Sequence, residues 1–292
     1  MKDYITAEGL NQFIDAALKE DVGVGDHSTL ASVPADQQGK ANLLIKEKGI
    51  IAGLTLAERI FSHFDPNLTV NLLMKDGDAV NYGDIGLTVS GSAQSILTTE
   101  RLVLNCMQRM SGIATKTHHF NQLIQHTDAR LLDTRKTTPN FRMLEKWAVA
   151  IGGGQNHRYA LYDMIMLKDN HIDFAGGIAE AINATNAYLK KNRLDLKVEI
   201  ETRNLKEVKA VLDKGGVDII MLDNMSPKEM KEAVALIDKQ YITEASGGIN
   251  ENTIVDVAES GVDFISVGAL THQVQSLDIS LKAVKYHPQT AD

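Results

Sequence analysis

The stretch 196-LKVEIETRNLKEVKAVLDKGGVDIIMLDN-224 sets two periodicities side by side. LKVEIE (196–201) and VDIIML (217–222) are short, apolar and rich in β-branched residues, as buried strands are. Between them LKEVKAVLDKG (205–215) reads as a helix, and Gly215 and Gly216 suit its end. Strand, helix and strand in such close succession imply parallel strands joined by a right-handed crossover. The same grammar recurs on both sides. ARLLD (129–133), DMIMLK (163–168), YITEAS (241–246) and VDFISVG (262–268) read as further strands. FRMLEKWAVA, AGGIAEAINATNAYLKKN, PKEMKEAVALIDK and ENTIVDVAESG read as helices between most of them. Pro227 fits a first helical turn and Gly261 a helix end. About six such units point to an incomplete α/β barrel, TIM-like in plan, with a doubly wound sheet as the alternative.

Upstream of residue 129 this alternation is absent. ITAEGLNQFIDAALKE (5–20) places Leu10, Phe13, Ile14, Ala17 and Leu18 at helical spacing, and polar DVGVGDHSTL reads as a loop. ANLLIKEKGIIAGL and LTVNLLMKDGDAVNYGDIGLTVSG are short strands broken by Gly, Asp and Asn turns. TTERLVLNCMQRMSGIATKTHHFNQLIQHT is helical, with an interruption expected near Ser111-Gly112. The N-terminal part is therefore a small domain of mixed α and β structure.

Composition excludes several classes of function. At 292 residues and 43% hydrophobic, the chain can build one large core or two modest ones. A formal charge of −8 opposes nucleic acid as the main partner, since binding a phosphate backbone needs a basic surface. Any cationic cluster must then be local and aimed at a small anion. Cys106 is the single cysteine, so no internal disulfide forms, which fits a reducing cytoplasm. No apolar run reaches the roughly 20 residues that span a bilayer, and MKDYITAEG lacks the apolar core of a signal peptide. The expectation is a cytoplasmic protein with no membrane partner. HExxH, GxSxG and GxxxxGK[ST] are all missing.

Active sites of βα barrels lie where the strands end. The first strand ends in Asp133, followed by Arg135 and Lys136, and the second in Lys168, with Asp169, Asn170 and His171 behind it. The third carries Glu199 and Glu201 on one face, because strand side chains alternate. Glu199, one pleat deeper, is expected to pair with a barrel lysine. Asp223 and Asn224 end the fourth strand, Glu244, Ser246, Gly247 and Gly248 the fifth, and Ser266, Val267 and Gly268 the sixth. Glycine turns on the last two strands let backbone N–H groups approach an anion, the makings of a phosphate cradle. Gly152-Gly153-Gly154 follows a helix, so it fails the dinucleotide fingerprint and reads as a flexible loop leading to Asn156-His157-Arg158. Glu201 and Asp223 suit ribose hydroxyls or a hard cation such as Mg²⁺. Arg135, Lys136, His157, Arg158 and Lys168 exceed what one phosphate needs, so the ligand should carry several negative groups.

The ordered set DTRKTTPNFR, GGGQNHR, MLKDNHI, VEIE, MLDN, EASGGI and GVDFISVGALTH, with GDHST and ERLVLNCMQRMSGIAT upstream, closely resembles the quinolinate phosphoribosyltransferase family. The resemblance covers nearly the whole chain; one departure is Asn140, where the family often has glycine, and asparagine tolerates positive φ. The resemblance implies an N-terminal α/β sandwich domain (1–112), a C-terminal incomplete α/β barrel (113–273), and a tail (274–292) that returns to the N-terminal domain. It implies a homodimer with the active site shared across subunits, and leaves open whether dimers assemble further. It also implies the reaction of quinolinate with phosphoribosyl pyrophosphate, giving nicotinate mononucleotide, pyrophosphate and CO₂, with Mg²⁺ required, in de novo NAD biosynthesis. On this reading Arg135, His157, Arg158 and, from the neighbouring subunit, Arg101 hold quinolinate. Thr134, Lys136, Lys168, Glu201 and Asp223 serve phosphoribosyl pyrophosphate, the last two also the metal. Ser246, Gly247, Gly248, Ser266, Val267, Gly268 and His272 take the 5′-phosphate. A transferase for a monocarboxylate ring and a non-catalytic binder of phosphorylated ligands are the alternatives.

Overall fold

The computed structural model describes residues 3–284. They fall into two compact units, one drawn from residues 3–118, 137–153 and 273–284, the other from 119–136 and 154–272.

In the first unit, helix α1 (Ala7–Asp21) starts where the Thr6 hydroxyl accepts the Gly9 N–H, and it buries Leu10 and Ile14. The polar run after it is not all loop. Asp26 caps a short α2 (His27–Ser32) by accepting the Thr29 N–H at 3.1 Å, so DHST is a helix start. Strands β1 (Gln38–Ile45), β2 (Gly49–Ile50), β3 (Thr69–Leu72), β4 (Ala79–Val80) and β5 (Ile85–Ser92) follow, with α3 (Leu54–Phe64) between β2 and β3. The main antiparallel sheet has the order β12-β1-β5-β3, where β12 (Ile279–Val284) comes from the far end of the chain; β2 and β4 pair separately. Residues 285–292 of the expected tail lie outside the described residues.

Helix α4 (Ala93–Ile124) begins in this unit and runs unbroken through Ser111-Gly112, where an interruption was expected. Gly112 is there for closeness: a Cβ would lie 2.2 Å from the Gln275 carbonyl oxygen. Ser111 spends its hydroxyl on the Ala52 N–H, at 2.9 Å. Helix α5 (Arg142–Ile151) also belongs here. Gly152 ends it against α4, where a Cβ would meet the Ala114 carbonyl at 2.5 Å. The start of the triple-glycine run is thus a packed contact, contrary to the flexible loop expected.

The second unit holds a wholly parallel sheet of six strands: β6 (Arg130–Leu132), β7 (Ile165–Leu167), β8 (Val198–Thr202), β9 (Ile219–Asp223), β10 (Ile242–Ser246) and β11 (Phe264–Ser266). Its order, β6-β11-β10-β9-β8-β7, decides between barrel and open sheet. A doubly wound sheet reverses direction at a switch point, whereas here the strands follow one another and the first lies beside the last. The ring is open between β6 and β7, where Leu132 and Gln155 make one parallel bridge. This is the incomplete α/β barrel expected. Every residue of β8 is buried, and Ile200, Ile220, Ala245 and Ile265 are fully so, as strands covered on both faces require.

Helices α6 (Asp169–Ala175), α7 (Ile178–Asn192), α8 (Leu205–Lys214), α9 (Pro227–Ile237), α10 (Ile254–Ala258) and α11 (Ala269–His272) link the strands. The stretch expected as one helix from Ala175 to Asn192 starts only at Ile178, because Gly176 and Gly177 take φ of 95° and 143°, and α6 lies in residues read from sequence as following the second strand. Ser226 and Glu229 form a capping box at the start of α9, with Pro227 in its first turn. No helix of the described residues is long and apolar enough to cross a membrane.

Candidate active site

Because the six strands are parallel, their C-terminal ends gather at one end of the sheet. At the end of β6 the buried Asp133 is followed by Thr134, whose hydroxyl accepts the Lys136 N–H at 3.0 Å in a tight local turn. Two further contacts fix Lys136. The buried Thr271 hydroxyl donates to its carbonyl at 2.7 Å, and its side chain crosses Gly268, where a Cβ would come 2.9 Å from Lys136 Cδ. The loop then enters the first unit, where the buried Glu145 accepts the Thr138 N–H and hydroxyl and pairs with Arg109 at 2.9 Å.

Arg158 lies half-buried in the segment that fills the open seam and donates to the Met164 carbonyl at 3.2 Å. Burial, followed by the charge of nearby Arg135, pulls its pKa below the ordinary guanidinium value. The charges of Glu199, Asp163 and Glu201 act against that lowering.

His157 reaches inward instead. Its side chain is 7% exposed, and Nε2 lies 2.9 Å from Glu199 Oε2 and 3.4 Å from Glu244 Oε2. Glu199 therefore pairs with a histidine, not with the barrel lysine expected. The cluster titrates as a unit. Burial pushes Glu199 up to about 7, the Glu244 charge adding to the rise. Burial acts to lower the His157 pKa, but hydrogen bonds to Glu199 and Glu244 outweigh it and raise the value to about 10. These three residues have the spacing of metal ligands. The Arg158 N–H lies 2.7 Å from Nδ1, which leaves Nε2 as the nitrogen facing the two carboxylates.

At the next pair of strand ends, Lys168 Nζ lies 2.5 Å from Glu201 Oε1, and the other Glu201 oxygen accepts the Asp169 N–H at 3.1 Å. Burial and then the Glu201 charge hold Asp223 above the usual carboxylate range. Two oxygen donors that repel one another beside open solvent suit a hard cation, which would neutralise both. Asn224 turns the chain after Asp223 with φ 54° and donates to its carboxylate at 2.8 Å.

The glycine turns serve different ends. Gly247 has φ 96° and sits so close to Asn224 that a Cβ would fall 2.2 Å from Oδ1. Gly248 has φ 63° and faces open space, so its backbone is the approachable one. Ser246 is half-buried, while Ser266 is buried with its hydroxyl toward the Ala245 carbonyl at 3.5 Å. The Val267 N–H donates to the Leu132 carbonyl at 3.0 Å, just past the end of β11. Gly268 directly precedes α11 and the exposed His272 ends it, with His272 Nε2 3.0 Å from where a Gly268 Cβ would be. Arg101 belongs to the first unit, on the exposed face of α4.

Residues 113–282 match the family model for the C-terminal domain of quinolinate phosphoribosyl transferase, and residues 26–111 match that for its N-terminal domain. The chain belongs to the quinolinate phosphoribosyltransferase family. It is 48% identical over 288 residues to the chloroplastic nicotinate-nucleotide pyrophosphorylase [carboxylating] of Arabidopsis thaliana, covering 94% of this chain and 82% of that one. With the probable nicotinate-nucleotide pyrophosphorylase [carboxylating] of Bacillus subtilis it shares 41% over 273 residues, covering 93% and 92%. The crystal structure of NadC from Streptococcus pyogenes superposes with a TM-score of 0.90 at 41% identity, covering 96% of this chain and 99% of that one.

Contacts in the second unit join Lys136 to Gly268, His157 to Glu199 and Glu244, and Lys168 to Glu201. Asp133, Glu244 and Thr271 acquire contacts that strand-end reading did not assign. One signal was present for Glu244: it lies two residues before Ser246 on one strand, so alternation puts both on a common face.

Proposed function

We propose that this chain is a pentosyltransferase that joins quinolinate to phosphoribosyl pyrophosphate, releasing pyrophosphate and CO₂ and leaving nicotinate mononucleotide. The observation that carries this reading is the proximity of Arg135 to Arg158, whose pKa the Arg135 charge lowers, with Lys136 next to Arg135 in the chain. A ring with two carboxylates relieves that repulsion, and a planar guanidinium fork suits each carboxylate. Names of the relatives point the same way.

Arg135 and Arg158 orient the pyridine ring, and His157 keeps Arg158 in place through its backbone. In a homodimer, Arg101 of the partner subunit supplies a further cation. Lys136 and Lys168 meet the departing pyrophosphate, Thr134 fixes the turn that presents Lys136, and Glu201 and Asp223 hold the ribose hydroxyls. Glu201 and Asp223 would also hold Mg²⁺, which neutralises charge on the leaving group. The Gly248 turn, with Ser246, Gly268 and His272, receives the 5′-phosphate. As pyrophosphate leaves, the ring nitrogen bonds to C1 of the ribose and becomes cationic. The adjacent carboxylate then departs as CO₂, its bonding electrons remaining on C2 until water protonates it. Positioning and electrostatics thus account for the chemistry. A cytoplasmic setting agrees with the lone cysteine, Cys106, whose burial pushes its thiol up to about 12 and leaves it inert.

The test is pyrophosphate release by the purified chain with Mg²⁺ and phosphoribosyl pyrophosphate. Release should depend on quinolinate, and nicotinate should not replace it. Equal turnover with nicotinate, or no release from folded protein, overturns the reading. Sedimentation of the same sample should give a dimer.

A further inference from the structure

We propose that Asp133 is a positioning residue for the quinolinate subsite: across the open seam of the barrel, its buried carboxylate sets the course of the segment that carries Arg158. This inference rests on the quinolinate reading of the site.

Elsewhere in the sheet each strand is aligned by its neighbour's backbone ladder, but β6 and β7 share none. Gln155 supplies a stub. Its N–H donates to the Leu131 carbonyl at 2.8 Å, and its carbonyl accepts the Asp133 N–H at 3.1 Å. Beyond Gln155 the backbone pairing stops, and the Asp133 side chain takes over. Its Oδ1 accepts the His157 N–H at 2.8 Å, and its Oδ2 accepts the Asn156 side-chain amide at 2.7 Å. The next link is the His157 ring, whose Nδ1 accepts the Arg158 N–H. An ordered chain of contacts therefore runs from Asp133 to Arg158.

Burial gives these contacts their weight. Asp133 is 0% exposed, so its carboxylate depends on hydrogen bonds to replace lost water. Asp133 stands two residues before Arg135, and the carboxylate is thus placed to fix Arg158 relative to Arg135. Their separation must match the carboxylates of the ring.

Asp133→Asn keeps the volume but removes the charge and replaces one of the two acceptor oxygens by a donor. It should raise the quinolinate KM about tenfold or more, as loss of a charge-assisted bond implies, and leave the phosphoribosyl pyrophosphate KM within about twofold. Asp133→Asn/Asn156→Asp exchanges donor and acceptor and should recover most of the loss. Asp263→Asn is the structural control. At the opposite end of the sheet, Asp263 accepts the Thr243 N–H and hydroxyl at 2.8 and 2.7 Å, so this variant should lower Tm without moving the quinolinate KM. If Asp133→Asn behaves like Asp263→Asn, or the double variant recovers nothing, the proposal is overturned. Should Asp133→Asn not fold, Asn156→Ala removes the amide contact alone and should raise the quinolinate KM about threefold or more; an unchanged value overturns it. A wild-type chain with no quinolinate-dependent turnover would instead refute the functional reading itself.

Discussion

Asp133, Glu145, Glu199 and Glu244 are all buried acids, yet they do different things. Glu145 neutralises Arg109 and Asp133 ties down backbone, whereas Glu199 and Glu244 lie together against one histidine. That last arrangement has a consequence for stability. His157 faces Glu199 from β8, Glu244 from β10 and the Arg158 N–H from its own segment, and its pKa is raised from an ordinary 6.5 to about 10. A raised pKa means the folded state keeps a proton that the unfolded state gives up. The stabilisation is complete below the unfolded value and disappears as pH climbs through the folded one. Glu199, raised from 4.5 to about 7, has the same sign over a lower window. We therefore expect Tm to fall as pH goes from about 7 to about 10, and this limb to flatten in His157→Gln. Melting curves across that range check it; an identical slope in the variant would count against the assignment.

Among the elements, α4 shows how glycine misleads a reading from sequence alone. In a helix glycine signals either weakness or closeness, and only the neighbours tell which. At Gly112 the neighbour is the Gln275 carbonyl, and the contact is reinforced by Leu277 N–H to the Gln108 carbonyl at 3.0 Å and Gln108 Nε2 to the Ile279 carbonyl at 2.9 Å. Two effects of Gly112→Ala compete. Helix propensity favours alanine by about 1 kcal/mol, while forcing a methyl into packed backbone costs about 1–3 kcal/mol. The overlap is with backbone on a segment held at two further points, so the steric cost should win. We expect a net loss of about 1 kcal/mol or more in urea denaturation. A more stable variant would mean that the segment gives way easily. The same ambiguity explains Gly152, which read as slack and is a contact. The short α2 escaped notice because its six residues show no apolar period; its signal was the Asp26 cap.

At the scale of the molecule, the barrel was legible because buried parallel strands are continuous apolar runs separated by helical ones. The strand ends followed from that, and with them the cations and carboxylates. Two features could not be read this way. The cluster of His157 with Glu199 and Glu244 depends on three separate segments meeting, and the pairing of β12 with β1 joins Lys40–Ile45 to Val284–Ile279. Contacts between residues some 240 apart leave no periodic trace in a sequence. Yet that pairing should matter greatly to the first unit. Leu277, Ile279 and Leu281 are 5%, 2% and 7% exposed, and burying each contributes about 1.5–3 kcal/mol. Their sum, roughly 5–9 kcal/mol, rivals the whole stability of an ordinary domain. Removal also leaves β1 as a bare edge, open to pairing with other chains. A chain ending at Val274 should therefore aggregate or lose its folding transition. The milder Leu281→Ala should stay folded with a loss of about 2–5 kcal/mol. Hydrogen exchange locates the effect: in Leu281→Ala, amides of Gln38–Ile45 should lose protection more than those of β8 to β10. Equal loss across both sheets would show that β12 supports the fold globally and not through its pairing with β1.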